Sequence, residues 1–206
     1  MVRRGFRAAS DVVVEMNIEQ EVIPITTEEE KQLRRVFDLL CHFHQKKRIE
    51  EEIDHIRRKY GLKFYSVHDF VEMRSLSTWS SLLIDAQMTT QERTQIENLF
   101  DDLQKMKSDQ GIVKTISIQD VMTMLRTLRM KVPRRDVEEM VWEVDEDLDN
   151  ALAWPEFRLM FTRNIMDKTG LEPARMFNLT QFLIYDDNVN GKVSLDETMH
   201  MLYTRY

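Results

Sequence analysis

Apolar residues fall at helical spacing from Leu33 onward: Leu33, Val36, Phe37, Leu40 and Cys41, then Ile49, Ile53 and Ile56. Residues three and four apart share one face of an α-helix, so this stripe predicts a helix with one buried side. It opens at Thr26, whose hydroxyl can accept from the free first-turn amides while Glu29 reaches back to complete a capping box. Gly61 ends it. One helix of about 30 residues would span about 45 Å, unless the chain breaks near His42–Gln45. The run Gln45–Arg48 followed by Glu50–Glu52 reads as a solvated face stitched by i,i+4 pairs. A second stripe (Ile96, Leu99, Phe100, Leu103) starts at Thr89 or Thr90, with Glu92 boxed to Thr89. A third follows Pro133 with Val137, Met140, Val141 and Val144, and a fourth follows Pro173 with Met176, Phe177, Phe182 and Leu183. Proline suits the first turn of a helix, where its missing N–H costs nothing. Residues 1–26 sustain no helical period. Arg3, Arg4 and Arg7, then Val12–Val14 and Pro24, fit either a loosely attached tail or an extended N-terminal arm anchored on a partner by Phe6 and the valines.

A repeat organises the stripes. FYSVHDFVEM (64–73), TISIQDVMTML (115–125), ALAWPEFRLMF (151–161) and KVSLDETMHML (192–202) share one order: an apolar residue, a small residue, an acid, then an apolar helix start. The acids are Asp69, Asp120, Glu156 and Glu197, spaced by 51, 36 and 41 residues. Periods of this size indicate a repeated supersecondary unit, and four units are read here.

The third and fourth carry chemistry. Asp145–Glu156 (DEDLDNALAWPE) and Asp186–Glu197 (DDNVNGKVSLDE) place oxygen ligands at positions 1, 3 and 5 and a glutamate at position 12. A hard cation taking about seven oxygens is wrapped in this way, by alternate side chains, one carbonyl and a distal two-oxygen carboxylate. The ligand sets are Asp145, Asp147, Asp149, the Ala151 carbonyl and Glu156, and Asp186, Asn188, Asn190, the Lys192 carbonyl and Glu197. Gly191 stands at position 6, where φ is positive. Asn150 holds that place in the third unit, and asparagine also enters the left-handed region. Ala153 at position 9 contributes only through a water. Four acidic ligands against two make the third loop the stronger site. The first two units are degenerate. Counting back from Asp69 puts Arg58, Tyr60 and Leu62 at ligand positions, and counting back from Asp120 offers Asp109, Gly111 and Val113. Phe100 to Ile116 is 16 residues, against eight from Tyr185 to Val193, so the second loop is too long.

EVDEDLDNALAWPEF and YDDNVNGKVSLDE resemble the loops of EF-hand calcium-binding proteins of the calmodulin and troponin C superfamily. The resemblance covers residues 89–206 well and 45–75 faintly. It implies an all-α fold of EF-hand lobes, helix–loop–helix pairs joined by short β-bridges, preceded by a long helix and the arm. The expected divisions are the arm 1–26, a long helix plus degenerate half 27–130, and a C-terminal hand pair 131–206. It also implies Ca²⁺ in the C-terminal lobe, with Mg²⁺ able to sit there at rest, and a target met through an apolar groove. The branched residue at position 8 pairs two loops of a lobe, so Val193 is expected opposite Leu152, with pairing of units two and three as the alternative.

Composition narrows the function. A net charge of −7 and a pI near 5.3 argue against nucleic acid as the main partner. Five glycines and four prolines in 206 residues favour helices and short links. Cys41 is the only cysteine, so no intramolecular disulfide forms, and a reducing, cytoplasmic setting is expected. No apolar run approaches the about 20 residues of a membrane span, and the start carries neither a secretory h-region nor the glycine that myristoylation needs. Fourteen methionines suit either a core filler or an adaptable groove, with Met122, Met124, Met160, Met199 and Met201 fitting both. Five histidines show no zinc spacing, and Trp79, Trp142 and Trp154 read as packing. No nucleophile–base or phosphate-loop pattern occurs, so no enzyme is expected. Two readings follow: a calcium-binding regulatory or adaptor protein engaging an amphipathic helix, or a structural subunit of a multi-subunit cytoskeletal or ciliary (axonemal) assembly using the fold as a largely calcium-independent clamp.

Overall fold

In a computed structural model the described residues are 25–61, 87–107 and 113–205. The arm before Ile25, the first unit around Asp69, and Trp79 and Asp109 lie outside them.

Thr26 caps helix α1 (Thr27–Leu40) as its sequence predicts: its hydroxyl accepts from the Glu29 N–H at 3.2 Å, and its own N–H donates to Glu29 Oε2 at 3.1 Å. The long first helix breaks. Cys41 N–H still donates to the Phe37 carbonyl (2.9 Å), but His42 turns to φ 55°, and a new helix α2 (Phe43–Tyr60) begins. Left-handed backbone at a non-glycine residue ends a helix cleanly and redirects the chain. Lys46 Nζ spans the break to the Asp38 carbonyl at 3.1 Å. Gly61, at φ 60°, closes α2.

Helix α3 (Thr90–Lys107) has the predicted Thr89–Glu92 box, with the Thr89 N–H donating to Glu92 Oε2 at 3.0 Å. It packs antiparallel on α2, joined by Lys59–Glu92 (2.5 Å) and by Gln95 with Glu52. Ile53 and Ile56 of α2 and Ile96 and Leu99 of α3 are buried.

The rest alternates short strands and helices: β1 (Thr115–Ser117), α4 (Ile118–Thr127), α5 (Arg134–Trp142), β2 (Ala151–Ala153), α6 (Trp154–Met166), α7 (Arg175–Tyr185) and α8 (Leu195–Arg205). This is the all-α architecture that the resemblance implies, with one β-bridge among the described residues. Strands β1 and β2 run antiparallel, Thr115 opposite Ala153, Ile116 opposite Leu152 and Ser117 opposite Ala151. The bridge therefore joins units two and three. Leu152 does not meet Val193, which is 40% exposed and in no strand. The fourth loop follows α7, which packs against α1, α5 and α6, and β2 is already paired with β1. The ladder also crosses the expected division at residue 130.

One core runs through α1, α4, α5, α6, α7 and both strands. Leu33, Val36, Phe37 and Leu40 of α1 have no exposed surface, so the whole apolar stripe of that helix is spent on this core. Phe37 meets Trp154 edge-on (centroids 5.3 Å apart) and tilts against Phe157 at 5.5 Å. Met124, Met140, Met160 and Met176 are buried as filler, whereas Met199 is 40% exposed. Trp142 departs from the packing expectation: it ends α5 on the outer side and is 67% exposed.

Candidate metal centre

The third loop forms because its side chains bond the backbone that carries them. Asp145 Oδ1 accepts from the Asp149 N–H at 3.2 Å and Oδ2 from the Asn150 N–H at 2.8 Å. Asp147 Oδ1 also accepts from the Asp149 N–H (3.2 Å), and Asp149 Oδ1 accepts from the Ala151 N–H at 2.8 Å. Short acidic side chains capture amides two to five residues on and curl the chain around them. Leu148 (φ 62°) and Asn150 (φ 64°) take the left-handed turns this needs. Ligand atoms of Asp145, Asp147 and Asp149 consequently lie within 4.8 Å of one another.

Glu156 comes to the same place from the far side. Its Oε1 accepts from the Glu146 N–H (2.9 Å), and its Oε2 accepts from the Ala153 N–H (2.8 Å) at the start of α6. Asp145 and Glu156 are largely buried, Asp147 and Asp149 exposed. The Asp149 amide favours the charged form of Asp147. Desolvation and the negative charges of Asp149, Glu156 and Asp145 outweigh it, and that carboxyl is raised above its usual range. Gathering four carboxylates is unfavourable by itself and favourable around a hard divalent cation. The donor set fits such an ion: oxygen only, mixed in charge, and open on the side of the two exposed aspartates.

The fourth loop repeats the design with fewer charges. Asp186, fully buried, accepts from the Asn190 N–H (3.0 Å) and the Gly191 N–H (2.8 Å). Asn188 Oδ1 accepts from the Asn190 N–H at 3.1 Å, and Asn190 Oδ1 from the Lys192 N–H at 2.8 Å. Glu197 accepts from the Ser194 N–H (2.8 Å) and hydroxyl (2.7 Å) and from Asn188 Nδ2 (2.9 Å). The Ser194 amide, with its hydroxyl, holds the Glu197 carboxyl below its usual range. Val189 (φ 55°) and Gly191 (φ 81°) make the turns.

All ten sequence-predicted positions thus sit in two curled loops. Ala151 is in β2, and Lys192 lies in the unpaired stretch before α8.

The second unit holds its acid differently. Asp120 is buried, but its Oδ1 accepts from the His44 N–H at 2.8 Å, in the first turn of α2, and its Oδ2 from the Ser117 N–H (2.9 Å) and hydroxyl (2.6 Å). His44 Nδ1 lies 3.0 Å from Thr123 Oγ1. A helix start offers free N–H groups and the positive end of its dipole, so this carboxylate is satisfied without a metal. Sequence reasoning missed that role, and the pairing of Ser117 with Asp120 three residues on was its only local signal. It also missed Arg35. From α1 its Nη2 donates to the Leu183 (2.9 Å) and Ile184 (3.2 Å) carbonyls at the end of α7, and its Nη1 pairs with Asp187 at 2.9 Å.

Residues 115–164 match the family profile of the EF-hand domain pair. A stretch of 108 residues, 52% of this chain, is 28% identical to the Probable calcium-binding protein CML13 of Oryza sativa subsp. japonica and covers 58% of that relative. Both findings bear out the resemblance to EF-hand proteins of the calmodulin superfamily. Among the described residues no helix is long and apolar enough to cross a membrane.

Proposed function

We propose that the chain is a non-enzymatic calcium-binding regulatory or adaptor protein, holding Ca²⁺ in the Asp145–Glu156 loop and more weakly in the Asp186–Glu197 loop. The observation that carries this is the convergence of Asp145, Asp147 and Asp149 within 4.8 Å, with Glu156 held to the same loop by the Glu146, Asp147 and Ala153 amides. Asp145, Asp147, Asp149, Glu156 and the Ala151 carbonyl are the ligands of the first site. Asp186, Asn188, Asn190, Glu197 and the Lys192 carbonyl are those of the second. Mg²⁺ is smaller and demands octahedral order, so it fills these loops only at rest. A relative named as a calcium-binding protein supports the same reading. The partner is a protein, met as a helix or as part of an assembly, in the cytoplasm. Isothermal titration with Ca²⁺ shows up to two sites, and Glu156→Gln removes the tighter one. A chain that gives no heat and no tryptophan change at millimolar calcium refutes the proposal.

One observation favours the structural-subunit reading for partner contact. The apolar faces of α4, α5 and α6 are already covered by α1 and α7, so among the described residues these three helices offer a target no vacant apolar face. A hydrophobic dye separates the two. Brightening on calcium addition marks a groove that opens, and unchanged emission with intact calcium binding marks a calcium-independent clamp, as in a cytoskeletal or ciliary assembly.

A further inference from the structure

An EF-hand needs a helix that enters the loop, a strand, and a helix that leaves. For β1 and α4 the helix that precedes them in sequence is α3, yet α3 packs on α2. Another helix stands where the entering one belongs. In the third hand the last residue of α5 is Trp142. Four residues on, the Glu146 N–H donates to Glu156 Oε1 at 2.9 Å, and the Ala153 N–H donates to Oε2 at 2.8 Å. In α1 the last residue is Leu40. Four residues on, the His44 N–H donates to Asp120 Oδ1 at 2.8 Å, and the Ser117 N–H donates to Oδ2 at 2.9 Å. Asp120 and Glu156 each stand third in their helices and four residues beyond the paired centres Ile116 and Leu152. The two acids are gripped by equivalent amides, one four residues beyond the end of a helix and one in a strand. Two further contacts agree. Lys114, at the lead into β1, pairs with Asp38 of α1 at 3.2 Å. Phe37 of α1 lies against Phe157, the residue after Glu156, at 5.5 Å.

We infer that α1 is the entering helix of the second hand, separated from β1 and α4 by residues 43–114 inserted into its loop, so that calcium affinity at Asp145–Glu156 depends on α1 staying docked. This rests on the calcium reading above. The first turn of α2 takes the place of the cation beneath Asp120. The link to calcium runs through the ladder: Asp120 and α1 fix β1, β1 fixes β2, and β2 carries Ala151 to Ala153 of the binding loop. Undocking α1 frees β1 and removes the preorganisation of that loop, and by reciprocity calcium tightens the hold on α1.

The test uses the full chain carrying Glu197→Gln, which silences the fourth loop, with Ca²⁺ as the probe. Phe37→Ala loosens α1, and Ile53→Ala loosens the α2–α3 packing as a reference. Phe37→Ala weakens calcium binding by about tenfold, a typical coupling between sites, while Ile53→Ala leaves it within about twofold, as independent sites do. In the parent chain, calcium slows hydrogen exchange of the α1 amides. Equal affinity in the two variants, with α1 exchange indifferent to calcium, overturns the inference. If Phe37→Ala does not fold, Asp120→Asn is measured in its place against the same two readouts. A parent chain that takes up no calcium refutes the calcium reading instead. The split hand is then judged without metal: faster exchange of the β1 amides in Phe37→Ala than in Ile53→Ala supports it, and equal exchange overturns it.

Discussion

Arg35 and Asp187 are paired at 2.9 Å between α1 and the second position of the fourth loop, and the same guanidinium caps the Leu183 and Ile184 carbonyls at the end of α7. Those carbonyls have no partner within their own helix, and a cation there also meets the negative end of the dipole. Arg35→Ala leaves them unmet and costs about 1.5–3 kcal/mol, the range for a hydrogen bond to a charged group. Arg35→Lys recovers part, because an ammonium lacks the planar fork that meets three acceptors at once. Urea unfolding of the three proteins checks the order wild type, Lys, Ala.

The tryptophans separate by position. Trp154 lies on Phe37 with the Arg34 guanidinium stacked 4.7 Å from its ring, whereas Trp142 is 67% exposed. Trp154→Ala therefore costs about 2–3 kcal/mol, somewhat below the range for a fully buried ring. Trp142→Ala stays within about 0.5 kcal/mol. Thermal or urea melts decide, and equal losses would contradict the packing described.

Gly191 has φ 81°, and a Cβ there would lie 3.0 Å from the Leu128 carbonyl oxygen. Both the conformation and the close approach exclude a side chain. Gly191→Ala costs about 1–3 kcal/mol, typical of a strained left-handed residue, and lowers calcium affinity at the fourth loop while leaving the third unchanged. The control is Asn150→Gly at the corresponding position of the third loop. It relaxes φ 64° and preserves binding there. Titration calorimetry reads both.

Cys41 follows from burial. Desolvation, with the nearby Asp38 charge second, pushes its thiol up to about 12 from 9.0. A proton held more tightly when folded stabilises the fold fully below pH 9.0, and that contribution is lost as pH climbs from there to about 12. At pH 8 a thiol reagent should label the native chain only as fast as it unfolds and the urea-unfolded chain at once. Rapid labelling of the native chain would show the side chain to be accessible.

The curl of the two acidic loops was legible in the sequence because its determinants are local. Asp145 to Glu156 lie in one twelve-residue loop, and each carboxylate bonds amides two to ten residues away. The caps at Thr26 and Thr89 were legible for the same reason. Pairing was not. Whether Leu152 meets Ile116 or Val193 depends on how the units pack on one another, and that packing involves α1, more than a hundred residues upstream of α7. The break at His42 had no strong breaker residue to announce it, and its purpose, bringing the start of α2 to Asp120, is a contact 76 residues apart. The excess length between Phe100 and Ile116 was the one visible sign that α3 does not serve the second hand.

Asp120's grip on the first turn of α2 has a mechanical side. Helix α2 is 18 residues long, about 27 Å at 1.5 Å per residue, and α3 lies along it as a splint. Whatever pushes sideways on its far end near Tyr60 acts about 24 Å from the His44–Asp120 contact, with α4 also packed against the helix. Part of the load arrives there as torque, one strand away from the Asp145–Glu156 loop.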